Sequence, residues 1–315
     1  MILKFLKNTN SYLILFLMIS LILFFLPNLI MINYHLPIKT IVLNLFEIFL
    51  IMVMVFFNSM GLNNLIYEQD VIKKPSIILS FIFVILNTVF FDYCKLDFAV
   101  IAVSISFFFL YILRYLLTLF KTKKPYRNVF NSVLLISTLS IISTEFLIFI
   151  LLVFFAAIIF RNFEWRLLFI SLISSIIPYL FIWSYQYISN QNLSLPNFEM
   201  ETSLSYLNLD TFHAQFWLIV VCLVTVFSVI EIFNWIYKKS IKSRESFFII
   251  IMYLVITIFL ATIFNNIIFL YLSIAPLSIV ISNFFSYYRL TIISEILFIL
   301  LFFSTVFYRI SIINM

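Results

Sequence analysis

Glycine and charged residues are both scarce in this sequence. The 315 residues include a single glycine, Gly61, and only 10% of them are charged, whereas a typical soluble domain has about 25% charged residues. Hydrophobic residues make up 65% of the chain, and a soluble fold of this size cannot bury so much apolar surface. The composition therefore excludes a soluble domain and indicates a chain that lies largely within lipid.

Cysteine and histidine are also scarce. Cys94 and Cys222 lie far apart and form no CxxC pair, and His35 and His213 are the only histidines. This spacing indicates neither a zinc site nor a disulfide framework. The sequence also has no P-loop, GxGxxG, HExxH or GxSxG motif, so nothing points to nucleotide hydrolysis, zinc proteolysis or a serine hydrolase. We expect no metal and no cofactor.

The formal net charge of +6 does not indicate nucleic-acid binding. The lysines and arginines occur in short clusters between apolar runs and do not line one soluble face. The expected partner is instead the lipid bilayer. Clusters of this kind carry information about which loops of a membrane protein face the cytoplasm.

Eleven apolar runs follow one another along the chain. A helix needs about 20 apolar residues to cross about 30 Å of hydrocarbon. The fifth and sixth runs are separated only by Ser143, Thr144 and Glu145, so they form either a hairpin of two short helices or one long span. The predicted spans are residues 11–32, 40–58, 76–91, 98–119, 129–143, 145–160, 167–188, 211–237, 246–264, 266–282 and 290–311.

The distribution of basic residues decides between these two alternatives, because short cytoplasmic loops collect lysine and arginine. With a hairpin and the N-terminus inside, fifteen basic residues fall in inner loops, and only Lys39, Lys95 and Arg309 fall in outer segments. One merged span would place seven of the fifteen outside. We therefore predict an all-α polytopic transmembrane helix bundle of about eleven spans, with the N-terminus in and the C-terminus out. Residues 1–315 form one domain, with a long outer loop at about 189–210.

Serine and proline indicate how the helices pack. A single glycine excludes GxxxG packing, so the serine-rich stretches 132–143 and 171–175 are predicted to make close helix contacts. Pro178 and Pro276 each lie in the middle of a predicted span. There each proline frees a backbone carbonyl and is expected to kink its helix.

Ionisable side chains within a membrane are costly and indicate candidate functional positions. Glu47, about 12 Å into the second span, is the deepest acid. It is either a proton or substrate contact or a neutral acid that is hydrogen-bonded to a polar neighbour. Asp92, Asp97, Glu145 and His213 all fall at the outer side. They either converge on one outer mouth or are polar only because loop tips meet water.

Two stretches of the sequence resemble a known family. The N-terminal stretch MILKFLKNTNSYLILFLMISLILFF has two lysines before an apolar run. The central stretch has a basic loop, a short hairpin, a second basic loop with Arg161, Trp165 and Arg166 in an R-x-x-x-W-R pattern, and a span with a central proline, Pro178. This arrangement resembles an uncharacterised, domain-of-unknown-function family of polytopic inner-membrane proteins of flavobacterial type. The resemblance implies an envelope protein and assigns no activity.

The central arrangement is also loosely similar to multi-span lipid-linked-sugar glycosyltransferases. Their catalytic acid normally lies in the first outer loop. Here that loop, NYHLPIK, contains no acid, and the first outer acids are Asp92 and Asp97, one outer loop later. The similarity implies an extracytoplasmic active site with Asp92, Asp97 or Glu145 as its catalytic residues.

Together these patterns favour a component of the bacterial inner membrane with a non-catalytic or transport-like role. Glu47, Arg161, Arg166 and His213 are the candidate substrate contacts, and other envelope membrane proteins or a lipid-linked substrate are the candidate partners. The alternative is a membrane glycosyltransferase that uses a polyprenyl-phosphate-linked donor.

Overall fold

The computed structural model describes residues 3, 6, 7, 11–30, 38–72, 76–90, 96–121, 125–189, 211–236, 239–288 and 291–313. Within these ranges the chain forms twelve α-helices. In chain order the helices are α1 (Ser11–Ile30), α2 (Ile38–Glu68), α3 (Ile78–Phe90), α4 (Leu96–Thr118), α5 (Tyr126–Leu139), α6 (Ile150–Ile159), α7 (Trp165–Ile188), α8 (Phe212–Ile236), α9 (Ile241–Ile263), α10 (Ile267–Leu272), α11 (Ile274–Tyr287) and α12 (Thr291–Ile313). Short 3-10 helices cover Leu119–Lys121 and Thr144–Phe149.

Fewer helices have full membrane-spanning length than the eleven predicted spans. Eight helical segments of the described chain are long and apolar enough to cross a membrane, which confirms an all-α, multi-pass protein. The other three predicted spans are shorter helices: α3 has 13 residues, α5 has 14, and Thr144–Ile159 is also shorter than the eight. At about 1.5 Å per residue α3 and α5 are about 20 Å long, which is less than the hydrocarbon thickness.

The short helix α3 lies at the centre of the bundle. Every residue from 76 to 89 is buried, because α3 packs against α1, α2, α11 and α12. The segment Ile267–Tyr287, which contains α10 and α11, is also almost entirely buried. By contrast, α7 and α8 expose most of their apolar side chains at the periphery, as expected for helices that face lipid.

Two predicted span boundaries are wrong. The second span was expected to end at residue 58, but α2 continues to Glu68, and the chain then turns at Asp70 with a φ of 57°. The tenth span, predicted as 266–282, is present as the apolar segment Ile267–Tyr287, but its helix is interrupted at Ser273. Pro276 explains this interruption, because it lacks the N–H group that would bond the carbonyl of Leu272.

The serine-rich stretches make the predicted close contact. Ser137 on α5 donates a hydrogen bond to the backbone carbonyl of Ser175 on α7, at 2.7 Å, and Ser140 is 2.7 Å from the Tyr179 hydroxyl. The carbonyl of Ser175 lies three residues before Pro178, in the turn that the proline ring loosens. The neighbouring helix therefore supplies a donor where proline weakens the helix's own hydrogen bonds.

The predicted hairpin is also present. The chain turns between α5 and the 3-10 helix Thr144–Phe149, and α5 packs against α6. At the open end of this hairpin, the Tyr126 hydroxyl hydrogen-bonds the Glu164 carboxylate and the Asn162 side chain donates to the Leu119 carbonyl at 2.8 Å. The start of the first arm and the end of the second arm therefore lie at the same end of the bundle.

The contacts define two ends of the bundle. At the first, which we call the Lys242 end, Lys242 at the start of α9 forms an ion pair of 2.7 Å with Asp70 after α2. At the other, which we call the Arg309 end, Arg309 near the end of α12 contacts the last turns of α1 and α3. Most of the described basic residues lie at the Lys242 end, including Arg127, Arg161, Arg166, Lys239, Lys242 and Arg244.

Candidate binding groove

Arg309 is the most deeply buried charged side chain that the described part of the chain contains, with 3% of its surface exposed. Its Nε donates to the Phe24 carbonyl of α1 at 2.9 Å, and its Nη1 donates to the Thr88 carbonyl of α3 at 3.2 Å. Its Nη2 hydrogen-bonds Asn28 Oδ1, also on α1. One guanidinium group therefore joins α1, α3 and α12. Arg309 was counted among the outer basic residues, and the structure places it within α12, at the end of the bundle opposite the basic clusters.

The two backbone carbonyls that Arg309 contacts lie where the hydrogen bonding of their own helices is incomplete or weakened. Thr88 lies in the last turn of α3, where backbone carbonyls have no partner within the helix and the helix dipole is negative. Phe24 lies three residues before Pro27, so its carbonyl is in the turn that the proline loosens. Arg309 satisfies both carbonyls with charged donors, which give stronger hydrogen bonds than neutral ones.

A groove with a volume of about 350 Å³ lies between α1 and α12, and Arg309 is one of its lining residues. This volume is within the range of sites that bind small molecules. Ile19 and Leu23 line the groove and are about half exposed, so the groove opens on the surface that faces lipid. Apart from Arg309 and Ser20, the described lining is apolar and consists of Phe16, Ile19, Leu23, Phe24, Leu26, Pro27, Phe302, Val306 and Ile310.

The groove can accommodate a hydrocarbon chain, because its walls are apolar and its opening faces the bilayer. Arg309, the one charged residue of the described lining, is four residues before the end of α12. A molecule lying along the groove would therefore have one end near a positive charge. Of the groove's polar groups, the Ser20 hydroxyl already bonds the Leu17 carbonyl of its own helix, which leaves Arg309 as the main electrostatic feature.

His213 is the one predicted site residue that the structure places beside α12. Its ring centroid lies 4.6 Å from that of Phe307. The neighbouring Ala214 packs in a small buried cluster with Val89 and Tyr308. His213 is therefore at the Arg309 end.

Glu145 lies at the tip of the hairpin. Phe146, the next residue, packs against Phe269 near the start of α10, with ring centroids 5.1 Å apart, which places the tip at the Arg309 end. Ser143 hydrogen-bonds the Glu145 side chain, and Glu145 Oε2 is buried without a hydrogen-bond partner. Asp92 and the side chain of Asp97 lie outside the described residues, so the predicted convergence of the three acids stays a prediction.

The remaining candidate substrate contacts are not brought together. Arg161 and Arg166 are exposed at the Lys242 end; Arg161 has a φ of 55°, and the guanidinium of Arg166 lies 5.9 Å from the Trp165 ring centroid. Glu47 is half-buried in α2 and has an interaction partner. The predicted outer loop at 189–210 falls almost entirely outside the described residues.

The fold defines a multi-pass, α-helical membrane protein. No family model matches the chain, and no curated protein or solved structure matches it. Among the described residues, no group of three or more His, Cys, Asp or Glu side chains is placed to hold a metal ion. The groove at Arg309 is therefore the candidate site that the geometry supports best, and a sequence signal for it exists: an arginine within a predicted membrane span.

Proposed function

We propose that the protein is a component of the bacterial inner membrane with a non-catalytic or transport-like role, and that the groove between α1 and α12 holds the hydrocarbon chain of a lipid-like substrate. The observation that carries this proposal is the apolar, laterally open groove with Arg309 at one end. The resemblance to the uncharacterised inner-membrane family agrees with the proposed location and assigns no activity.

The physics of the bilayer shows what such a groove must do to be selective. Lipid tails are as apolar as leucine side chains, so apolar contact alone gives a chain little preference for the groove over the surrounding lipid. Selectivity then depends on shape and on the charge of Arg309. The described lining residues include no carboxylate, whereas the glycosyltransferase alternative requires one.

A photo-crosslinking experiment tests the proposal. A lipid with a diazirine in its acyl chain is incorporated into vesicles with the purified protein, and the labelled peptides are mapped by mass spectrometry. We expect label to concentrate in α1 and α12. Val306→Trp fills the groove with a larger side chain and should reduce this labelling several-fold.

The matched control is Val226→Trp, the same substitution on the exposed face of α8, which should leave the labelling of α1 and α12 unchanged. If label spreads evenly over all lipid-facing helices, and Val306→Trp changes nothing, the groove only contacts bulk lipid and the proposal is wrong.

The proposed orientation has eleven spans, with the N-terminus in the cytoplasm and the C-terminus outside. It is supported by the basic residues at the Lys242 end, which would then face the cytoplasm, and by the hairpin formed by α5 and α6. Reporter fusions after residues 125, 200 and 240 should report cytoplasm, periplasm and cytoplasm. A cytoplasmic report from the fusion at 200 would contradict the hairpin as two spans.

A further inference from the structure

A small cavity lies where α2, α4, α9 and α11 meet. Its volume is about 10 Å³, and Asn58, Ser106, Tyr253 and Ala275 are among its lining residues. Asn58 Oδ1 and the Tyr253 hydroxyl are both buried and have no hydrogen-bond partner. A cavity of about this volume holds one water molecule when polar groups surround it. The cavity therefore has the size and the polar groups of a single water site.

Three further buried polar atoms without hydrogen-bond partners lie on the same helices: Gln69 Oε1 directly after α2, Ser246 Oγ on α9 and Ser286 Oγ on α11. Each follows or precedes a cavity-lining residue by seven or eleven positions. Ser246 is seven residues from Tyr253, while Gln69 and Ser286 are eleven from Asn58 and Ala275.

These spacings place each atom on the same helix face as the cavity-lining residue. At 3.6 residues per turn, seven positions fall about 20° short of two full turns and eleven positions fall about 20° beyond three. Gln69, Ser246 and Ser286 all lie between the cavity and the Lys242 end, because α2 and α11 end there and α9 begins there. At about 1.5 Å per residue, Ser246 lies about 10 Å from the level of the cavity, and Gln69 and Ser286 lie about 16 Å from it.

We propose that these groups line a narrow path for water that enters at the Lys242 end and finishes at the Asn58–Tyr253 cavity. Unpaired polar groups within a membrane protein cost several kcal/mol each unless protein or water satisfies them. Water within the path satisfies all five side chains at once. The path is independent of the groove at Arg309, which lies between other helices, and the site takes a ligand with the size and hydrogen-bonding capacity of water.

The first test asks whether removal of the Tyr253 hydroxyl lowers or raises the melting temperature. Tyr253→Phe removes only the hydroxyl. If that hydroxyl bonds a water molecule, the variant loses the bond and its melting temperature falls by about 2 °C or more. If the hydroxyl has no partner, its removal relieves a cost and the melting temperature stays the same or rises, which would overturn the proposal. Tyr185→Phe, at an exposed position on α7, is the matched control and should not change the melting temperature.

The second test measures access to the path directly. Ser246→Cys and Ser286→Cys are made in a Cys94→Ala, Cys222→Ala background, and Ag⁺ is added to one face of sealed, oriented vesicles. Thiols that remain free are then labelled with a maleimide in SDS. We expect Ag⁺ to protect both cysteines when added from the face at which it also protects Ser240→Cys, an exposed position at the Lys242 end.

Ser228→Cys is the control for a buried site without access, because the Ser228 hydroxyl is fully buried and bonds the Val224 carbonyl. If Ser246→Cys and Ser286→Cys are protected no faster than Ser228→Cys, water does not reach these positions and the path does not exist. The Ser240→Cys marker identifies the Lys242 end whichever side of the membrane it faces, so an incorrect orientation and an absent path give different results.

Discussion

Replacing Arg309 with methionine should destabilise the bundle strongly. Methionine is similarly long and apolar, so it keeps much of the packing and removes all hydrogen bonds. The acceptors that Arg309 satisfies stay behind, because Phe24 and Thr88 contribute backbone carbonyls that no side-chain substitution removes. A side-chain partner of a buried charge can be replaced, together with that charge, by apolar residues at little cost, but these two backbone carbonyls cannot be replaced in this way.

The magnitude is worked from the three hydrogen bonds that Arg309 makes with the described residues Phe24, Thr88 and Asn28. Hydrogen bonds between helices in a membrane contribute about 0.6 kcal/mol on average and about 1.7 at most, whereas a buried acceptor left unpaired costs about 1–3 kcal/mol. A cation at the end of a helix adds about 0.3–1 kcal/mol. We therefore expect Arg309→Met to lower the free energy of unfolding by about 2–5 kcal/mol.

The measurement is reversible unfolding in mixed micelles with increasing SDS, followed by far-UV circular dichroism. Arg309→Lys keeps the charge but has one donor group instead of a planar fork, so its stability should fall between those of wild type and Arg309→Met. Arg166→Met removes an exposed arginine from α7 and should change the free energy of unfolding by less than about 0.5 kcal/mol. A stability of Arg309→Met within about 0.5 kcal/mol of wild type would refute the assigned role.

Three further predictions use the same unfolding assay or the level of protein in the membrane. Ser137→Ala leaves the Ser175 carbonyl without its donor and should cost about 0.6–1.7 kcal/mol, whereas Ser175→Ala keeps that carbonyl and its bond, and should cost less. A Cβ atom at Gly61 would lie 3.0 Å from Leu110 Cδ1, so Gly61→Leu should cost about 1–3 kcal/mol; an unchanged stability would show that the two helices separate freely. Glu47→Gln should accumulate in the membrane like wild type. If Glu47→Gln fails to accumulate while Glu47→Lys accumulates normally, the interpretation of Glu47 as a neutral, hydrogen-bonded acid is wrong.

Several parts of the fold could be predicted from the sequence because they depend on local composition. The shortage of charge predicted a membrane protein, and runs of apolar residues located each helical segment to within about five residues, except at the end of α2. The interruption at Ser273 was not predicted. The serine-rich stretches around Ser137 and Ser175 predicted the contact between α5 and α7, since small side chains allow close approach wherever they occur. Basic clusters predicted the hairpin, whose two arms begin and finish together at the Lys242 end.

The candidate sites depended on the tertiary structure. Arg309 carries the same charge in a loop as in the core, and only the positions of Phe24 and Thr88, more than 200 residues away in sequence, show that three helices share its donors. Of the three acids near the predicted outer mouth, only the side chain of Glu145 lies among the described residues, so no binding site formed by these acids is defined. The sequence also contains no sign that Asn58 and Tyr253 face one cavity, because they belong to helices that are separated by nearly 200 residues.

The difference between the central and peripheral helices has the same origin. Composition alone determined that these segments are apolar helices within a membrane, since both lipid and protein interior favour apolar side chains. For the same reason it did not distinguish α3, which is buried on all sides, from α7, which faces lipid on most of its surface. A soluble protein reveals its core through the alternation of polar and apolar faces, but in a bilayer both faces are apolar. Only the packing of α1, α2, α11 and α12 around α3 decided which helix is central.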